Sequence, residues 1–287
     1  MNFHTDLAME RHALCACKHS KNITIHKVKR EKAQLTEIEI LNAEGAEELQ
    51  KPKGTYITVE VPEFSHESEL LDGRLTALVE SIRRLLPKKC SSALIAGLGN
   101  ENITPDALGP KTVHHIFATR HIEAKLAIQL GLGELQPVSA ISLGVLGQTG
   151  IETAELISSI AKDIQPDVII TIDALAARSK HRLGNTVQLT DTGLTPGSGV
   201  GNHRQEINTK SMGVPVIAIG IPTVIDVDSV LEEANCTFAQ NEVSASSMML
   251  CPRDIDTIIL RASKLLGLAL NCALQPALSP QDLLALL

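Results

Sequence analysis

Four apolar stretches in this chain lack the alternation of a half-buried strand: SALIAGLG at 92–99, VSAISLGV at 138–145, DVIITIDAL at 167–175 and VPVIAIGIP at 214–222. A strand that is apolar on both faces must be covered on both faces, which is the condition of a parallel sheet held between helices. Helical spacing separates the runs, most clearly in IETAELISSIAKDI at 151–164, where Thr149 and Glu152 have the spacing of a capping box. Strand and helix alternating in this way predict an α/β fold with a three-layer, doubly wound, mostly parallel sheet. A helix over 253–272 is predicted to pack back on it, with a further turn or two over 280–287.

Ahead of these runs the pattern changes. Residues 22–41 alternate apolar and polar side chains, and so does YITVEVP after the turn-like KPKG at 51–54. They predict a small antiparallel N-terminal β layer. Apolar residues at Leu71, Leu75, Leu78, Val79 and Ile82 predict a connecting helix within 67–86. The chain therefore divides into residues 1–87, the β layer and its helix, and 88–287, the catalytic α/β domain. That boundary is soft enough to allow one continuous domain.

Composition narrows the class of partner. With no Trp, one Tyr and four Phe, the core must be aliphatic and stacking platforms for single-stranded nucleic acid are scarce. A net charge of −7 also disfavours a phosphate backbone. The six cysteines form no CxxC pair and read as reduced thiols of a cytoplasmic protein. The first twenty residues lack the apolar core of a signal peptide, and the late apolar run at 265–270 is short of the roughly 20 residues that span a bilayer. A soluble chain with no membrane partner is expected.

In open α/β sheets, ligands bind beyond the carboxyl ends of the strands. Three segments fall there: GLGNENITPDALGPK at 97–111, TIDALAAR at 171–178 and DTGLTPGSGVGNHR at 191–204, the first and last rich in glycine and polar residues. Asp106 and Asp173 each lie in an Asp-Ala-Leu just past a predicted strand. If the strands are neighbours, about 4.8 Å apart, the two carboxyl groups meet in one crevice. Like charges held together share a proton near neutral pH, giving a base to activate water and an acid to protonate a leaving amine. Such assistance is worth roughly 10²- to 10⁴-fold. The plainer reading is that each Asp caps the helix that follows it.

The loop containing Gly197, Gly199, Gly201 and Asn202 presents backbone N–H groups suited to an anion or oxyanion, or is simply a turn-rich connection. It fits neither a dinucleotide fingerprint nor a P-loop. Arg178 and Arg182 follow Asp173 closely and suit an acidic substrate side chain, although such runs are also solvated helix faces. No HExxH is present, and no histidine-based metal site or cofactor is expected. The two aspartates remain able to ligate a metal.

Several long blocks carry a resemblance: GLGNENITPDALGPK, GQTGIETAEL, DVIITIDALAARS, DTGLTPGSGVGN and GVPVIAIGIPTVID, with HTDLAMER, KPKGTYITVEVPE, TRHI and PRDIDTIILRAS around them. In this order, over essentially the whole chain, they resemble the germination proteases, the spore endopeptidases. The resemblance implies an atypical aspartic peptidase, sharing a fold with hydrogenase-maturation peptidases. Its substrates would be the small acid-soluble proteins of dormant spores, cleaved after a Glu in the cytoplasm of the spore core. It implies catalytic roles for Asp106 and Asp173, makes Arg178 and Arg182 more credible as a receiving pocket, and implies a homo-oligomer, a tetramer in relatives. It also implies a zymogen cut before a TDLA-like sequence; here Thr5-Asp6-Leu7-Ala8 begins four residues from the start, so autoprocessing of a long prosegment is not expected. Glu101 stands where an aromatic is common in the family and is expected to raise the pKa of Asp106. Two alternatives stay open: a metal-assisted peptidase using the same carboxylates, and a noncatalytic peptide-binding scaffold.

Overall fold

A computed structural model describes residues 5–15, 20–198, 204–233 and 248–286. The chain opens with α1 (Ala8–Leu14), the hairpin β1 (Ile23–Arg30) and β2 (Ala33–Ile40), α2 (Ala43–Leu49), β3 (Gly54–Glu60) and α3 (Gly73–Leu85). Next come β4 (Ala93–Gly97), α4 (Leu108–Val113), α5 (Ala124–Gln129), β5 (Val138–Ser142), α6 (Leu146–Thr149), α7 (Thr153–Ile164) and β6 (Val168–Ala177). The last part holds β7 (Thr186–Thr190), α8 (Thr209–Met212), β8 (Val216–Asp226), α9 (Val227–Glu233), β9 (Met249–Leu250), α10 (Ile255–Leu274) and α11 (Pro280–Leu286).

The strands form one sheet in the order β1-β2-β3-β7-β8-β6-β4-β5, with β9 paired to β8. Pairing is parallel for β4–β5, β4–β6 and β6–β8 and antiparallel for β1–β2, β2–β3, β3–β7, β7–β8 and β8–β9. The four apolar runs, now β4, β5, β6 and β8, pair in parallel as expected, while the front strands pair antiparallel and join the same sheet, so the sheet as a whole is mixed. The N-terminal strands are also not a separate layer. Residues 186–190 of β7 bridge β3 to β8, so the alternating strands extend the same sheet across residue 87.

Layering follows from where the apolar faces point. On one face Ile95, Ile170, Ile172, Ile217 and Ile219 pack with Leu75, Leu78 and Ile82 of α3 and the buried length of α10. On the other, Leu94, Ala96, Ile169 and Val216 pack with Ala154, Ile157 and Ala161 of α7. Odd and even positions of one strand thus serve opposite cores, which is why these runs do not alternate. α10 is long and apolar enough to cross a membrane, but 78% of that window is buried inside the protein, so it is the central helix of the larger core.

Local chemistry sets the ends of elements. Asp72 caps α3, its carboxylate accepting from Arg74 N–H at 2.9 Å. The capping box foreseen at Thr149 and Glu152 does not form. Glu152 is the N-cap of α7 without a side-chain cap bond, and the Thr149 hydroxyl instead accepts from Ile151 N–H at 3.1 Å. Cys90, Cys251 and Cys272 are free thiols, whereas Cys15 is disulfide-bonded, so the expectation of six reduced thiols fails at that position.

Candidate functional site

β4 and β6 are adjacent and parallel, with Gly97 opposite Ile172. The loop after β4 and the residue after Ile172 are thereby brought to the same end of the sheet. Leu98 N–H donates to the carbonyl of Ile172 at 2.8 Å, continuing the ladder one step past the strand. The chain then turns at Gly99, whose φ is +114°, and folds back through a short 3₁₀ turn at Thr104–Asp106. A Cβ on Gly99 would lie 2.0 Å from the Asp106 carbonyl oxygen, so only glycine admits this return. The Asp106 carboxylate accepts from Asn100 N–H at 2.8 Å. It caps no helix, since Ala107 is the N-cap of α4 without a side-chain cap bond.

Asp173 lies inside β6, paired with Gly220 of β8, and not beyond the strand as its sequence context suggests. Its carboxylate accepts from Ala174 N–H at 2.9 Å. The β6–β8 register shifts immediately afterwards: Leu175 pairs with Pro222 but Ala176 with Val224, leaving Thr223 as the extra residue. Such bulges re-aim side chains beside sites. The Thr223 hydroxyl is fully buried there and has no hydrogen-bond partner among the described residues.

Asp106 and Asp173 line one cleft of about 530 Å³ together with Asp6, Lys51, Gly197 and Thr223. Burial raises the pKa of Asp106, against the lowering influence of the Asn100 N–H and the charge of Arg204. Glu101 does not contribute; it is turned to Lys111 at 3.4 Å and His114 at 3.8 Å, which corrects the role expected for it. Asp173 is raised well above the ordinary carboxylate range, first by burial, then by the charges of Asp106 and Asp6. The two carboxyl groups therefore sense each other, and their surroundings push them unequally toward the protonated form.

The N-terminal segment completes the cleft. Asp6 N–H donates to the Ala176 carbonyl at 3.1 Å, while its carboxylate accepts from Ala176 N–H at 2.9 Å and from the Ser198 hydroxyl at 3.0 Å. Leu7 and Ala8 are fully buried behind it. The buried Glu10 carboxylate accepts from the N–H groups of Arg178 and Ser179 at 2.8 and 2.9 Å. Sequence reasoning saw no function in Asp6, Lys51 or Thr223. The TDLA and KPK stretches that carry the first two gave no catalytic pattern, and a bulge leaves no mark in the local sequence.

Of the other residues singled out, Gly197 lines the cleft with φ +73°, while Gly199, Gly201 and Asn202 lie outside the described residues. Arg178 and Arg182 are not brought to the cleft. They line a separate depression with Glu10, His181, Glu232 and Glu233, Arg178 pairing with Glu232 at 3.0 Å and Arg182 closely with Glu60. Among the described residues no group of three or more His, Cys, Asp or Glu is arranged to hold a metal ion.

A family model described as germination protease matches residues 4–239. A germination protease of Clostridium perfringens (strain 13 / Type A) is 37% identical over 98% of this chain and 98% of its own length. That of Caldanaerobacter subterraneus subsp. tengcongensis is 36% identical over 100% and 98%, and that of Bacillus cytotoxicus is 41% identical over 80% of this chain and 65% of its own. A solved [NiFe] hydrogenase maturation protease, HycI from Thermococcus kodakarensis KOD1, aligns at 16% identity with a TM-score of 0.38, covering 66% of this chain and 98% of that one.

Proposed function

The chain belongs to the germination protease family and is a protease; we propose that it is an endopeptidase of aspartic type in which Asp106 and Asp173 share one proton. The observation that carries this reading is the unequal pair in one cleft. Asp173 is the more strongly raised carboxyl and takes the proton. Asp106 accepts a backbone N–H and lies within the field of Arg204, both of which favour its ionised form. Environments that push two titratable groups apart assign an acid and a base. Asp106 takes a proton from water as its oxygen attacks the peptide carbonyl. Asp173 gives its proton to the amide nitrogen as the C–N bond breaks, and the proton gained by Asp106 passes to Asp173 before the next turnover, which restores the pair. No acyl-enzyme is formed.

The substrates that fit the family are the small acid-soluble spore proteins, cleaved after Glu in the cytoplasm of the spore core, by a homo-oligomer. The loop through Gly197 is the proposed holder of the substrate backbone beside the pair. The test is incubation with a Glu-containing spore-protein peptide and mass spectrometry of the products. Fragments should appear with the native chain and fall by about a hundredfold or more in Asp106→Asn and Asp173→Asn, the share expected of acid–base assistance. Undiminished cleavage in either variant rejects the mechanism, and no fragments from the native chain would favour a binding scaffold.

A further inference from the structure

The cleft is lined by four carboxylates, those of Asp6, Asp106, Asp173 and Glu206, and, among the described residues, by a single cationic side chain, Lys51. Lys51 lies between α2 and β3, in the stretch KPKG that sequence reading treats only as a turn. Its Nζ donates to the backbone carbonyl of Asp6 at 2.9 Å. Among the described residues no carboxylate forms an ion pair with it. Asp6, whose charge acts on it, has each carboxylate oxygen already engaged, by Ala176 N–H and by the Ser198 hydroxyl. Burial pushes the Lys51 ammonium below its ordinary pKa, Arg11 adds to that, and the charge of Asp6 opposes it. A desolvated ammonium with one neutral acceptor has donors left over, and such a charge is costly unless an anion completes it.

The cleft wall that Lys51 shares with Tyr56, Thr190 and Thr192 is polar and built. The Tyr56 hydroxyl donates to the Pro52 carbonyl at 2.8 Å and accepts from Thr192 at 3.3 Å, and Thr192 and Thr190 are joined hydroxyl to hydroxyl at 3.0 Å. This chain needs Thr192 pressed against the start of β3. It is possible because residue 54 is glycine: a Cβ there would lie 2.4 Å from Thr192 Cγ2 and 2.5 Å from Asp191 Oδ1. Lysine, proline and glycine of the KPKG stretch thus each build one part of the same rim.

We propose that Lys51 is the specificity-determining residue of the cleft, receiving an acidic side chain of the bound polypeptide, with the Thr190, Thr192 and Tyr56 hydroxyls around it. The inference rests on the peptidase reading of this site and adds the residue that selects the substrate. Lys51 is the one cationic side chain among the described residues that line the cleft, with Arg204 reaching it only through its charge on Asp106, so the ammonium sets where an acidic side chain sits. Arg178 and Arg182, ion-paired in their own depression, are not needed for it.

The experiment uses two synthetic peptides identical except that one carries Glu where the other carries Gln. For the native chain kcat/KM should favour the Glu peptide by roughly ten- to a hundredfold, the worth of a charge-assisted hydrogen bond. In Lys51→Met that ratio should collapse to within about twofold, and Lys51→Arg should restore most of it. A ratio that survives Lys51→Met overturns the proposal, as does a native chain that does not distinguish the peptides. Equal loss on both peptides, with faster hydrogen exchange at the Ala176 amide, would show that Lys51 only pins the Asp6 segment. Binding of the two peptides to the Asp173→Asn chain, with and without Lys51→Met, requires no turnover. It decides the role of Lys51 even if the native chain cleaves neither peptide, an outcome that counts against the peptidase reading alone.

Discussion

The centre of the sheet and its outer antiparallel edge differ in how much of each strand is enclosed, and the parallel and antiparallel halves supply different groups to the cleft. In the parallel half, every residue of β4 is buried, and β6 is enclosed along its length except around Asp173. In the antiparallel half, β1 is buried only at Ile23 and exposed from His26 to Arg30. β8 is the seam, with a parallel neighbour in β6 and antiparallel neighbours in β7 and β9. Both aspartates come from the enclosed half, where packing fixes their positions and desolvation raises their pKa values. Lys51, Tyr56 and Thr190 come from the antiparallel half, where Tyr56 and Thr190 are also buried. In the reading proposed above, the aspartates of the parallel side carry the chemistry and Lys51 of the antiparallel side carries the contact with the substrate.

The sharpest test of that division is a kinetic split. If the proposed mechanism holds, Asp106→Asn and Asp173→Asn should lower kcat by about a hundredfold or more with KM little changed, because in it the pair acts only as bonds break. Lys51→Met should act mainly through KM for acidic peptides. A Lys51→Met variant that lost kcat as severely as Asp173→Asn would merge the two halves into one functional unit. The next largest effect is on stability. Ile170, fully buried in β6, should cost roughly 2–5 kcal/mol when changed to Ala, measured by urea unfolding. Val28, 39% exposed on β1, should cost less than about 0.5 kcal/mol for the same change. Similar costs at both positions would mean that the edge strands are as integral to the core as the centre.

The sequence showed the enclosed half more clearly than the open one. The apolar runs at 92–99, 138–145, 167–175 and 214–222 each became a strand, because burial on both faces leaves a pattern that needs no partner to read. The short β7 at Thr186–Thr190 was missed, since its Thr-Val-Gln-Leu-Thr looks like an ordinary polar connection. That omission is why the front strands looked like a separate layer: β7 is the link that joins them to β8. The meeting of Asp106 and Asp173 in one cleft was legible only on the assumption that β4 and β6 are neighbours, and strand order is a tertiary property. Lys51 and Asp6 were illegible as site residues for the same reason. Each is remote in sequence from both aspartates, and chain folding alone brings them to the cleft.

A smaller effect follows from the cost of burying the pair. A carboxyl whose pKa is raised in the folded state holds its proton more tightly there than in the unfolded chain. Its favourable contribution is complete below the unfolded pKa and is lost as pH rises through the folded one. Asp173, raised well above the ordinary range, therefore makes the native chain less stable at neutral pH than it would be with a neutral amide. Asp173→Asn should melt higher than the native chain at pH 7, and the gain should shrink as pH falls toward the ordinary carboxylate range. An Asn variant that melts lower at neutral pH would mean that the carboxylate is better solvated in the cleft than its surroundings indicate.

The smallest effect is expected at Arg182. Its guanidinium pairs with Glu60 at the end of β3, with the two side chains 24% and 30% exposed, and it lies in the depression beside Glu10, away from the aspartates. Partly exposed pairs are worth about 0–1 kcal/mol, so Arg182→Ala should lower stability by no more than that and change kcat/KM by less than about fivefold. The preference for a Glu peptide over its Gln twin should persist in this variant. If the preference vanished while Lys51→Met kept it, acidic side chains would be received beyond the C-terminal end of β6. The cleft wall of the antiparallel half would then lose its proposed role in recognition, and the depression around Glu10 and Arg178 would take it over.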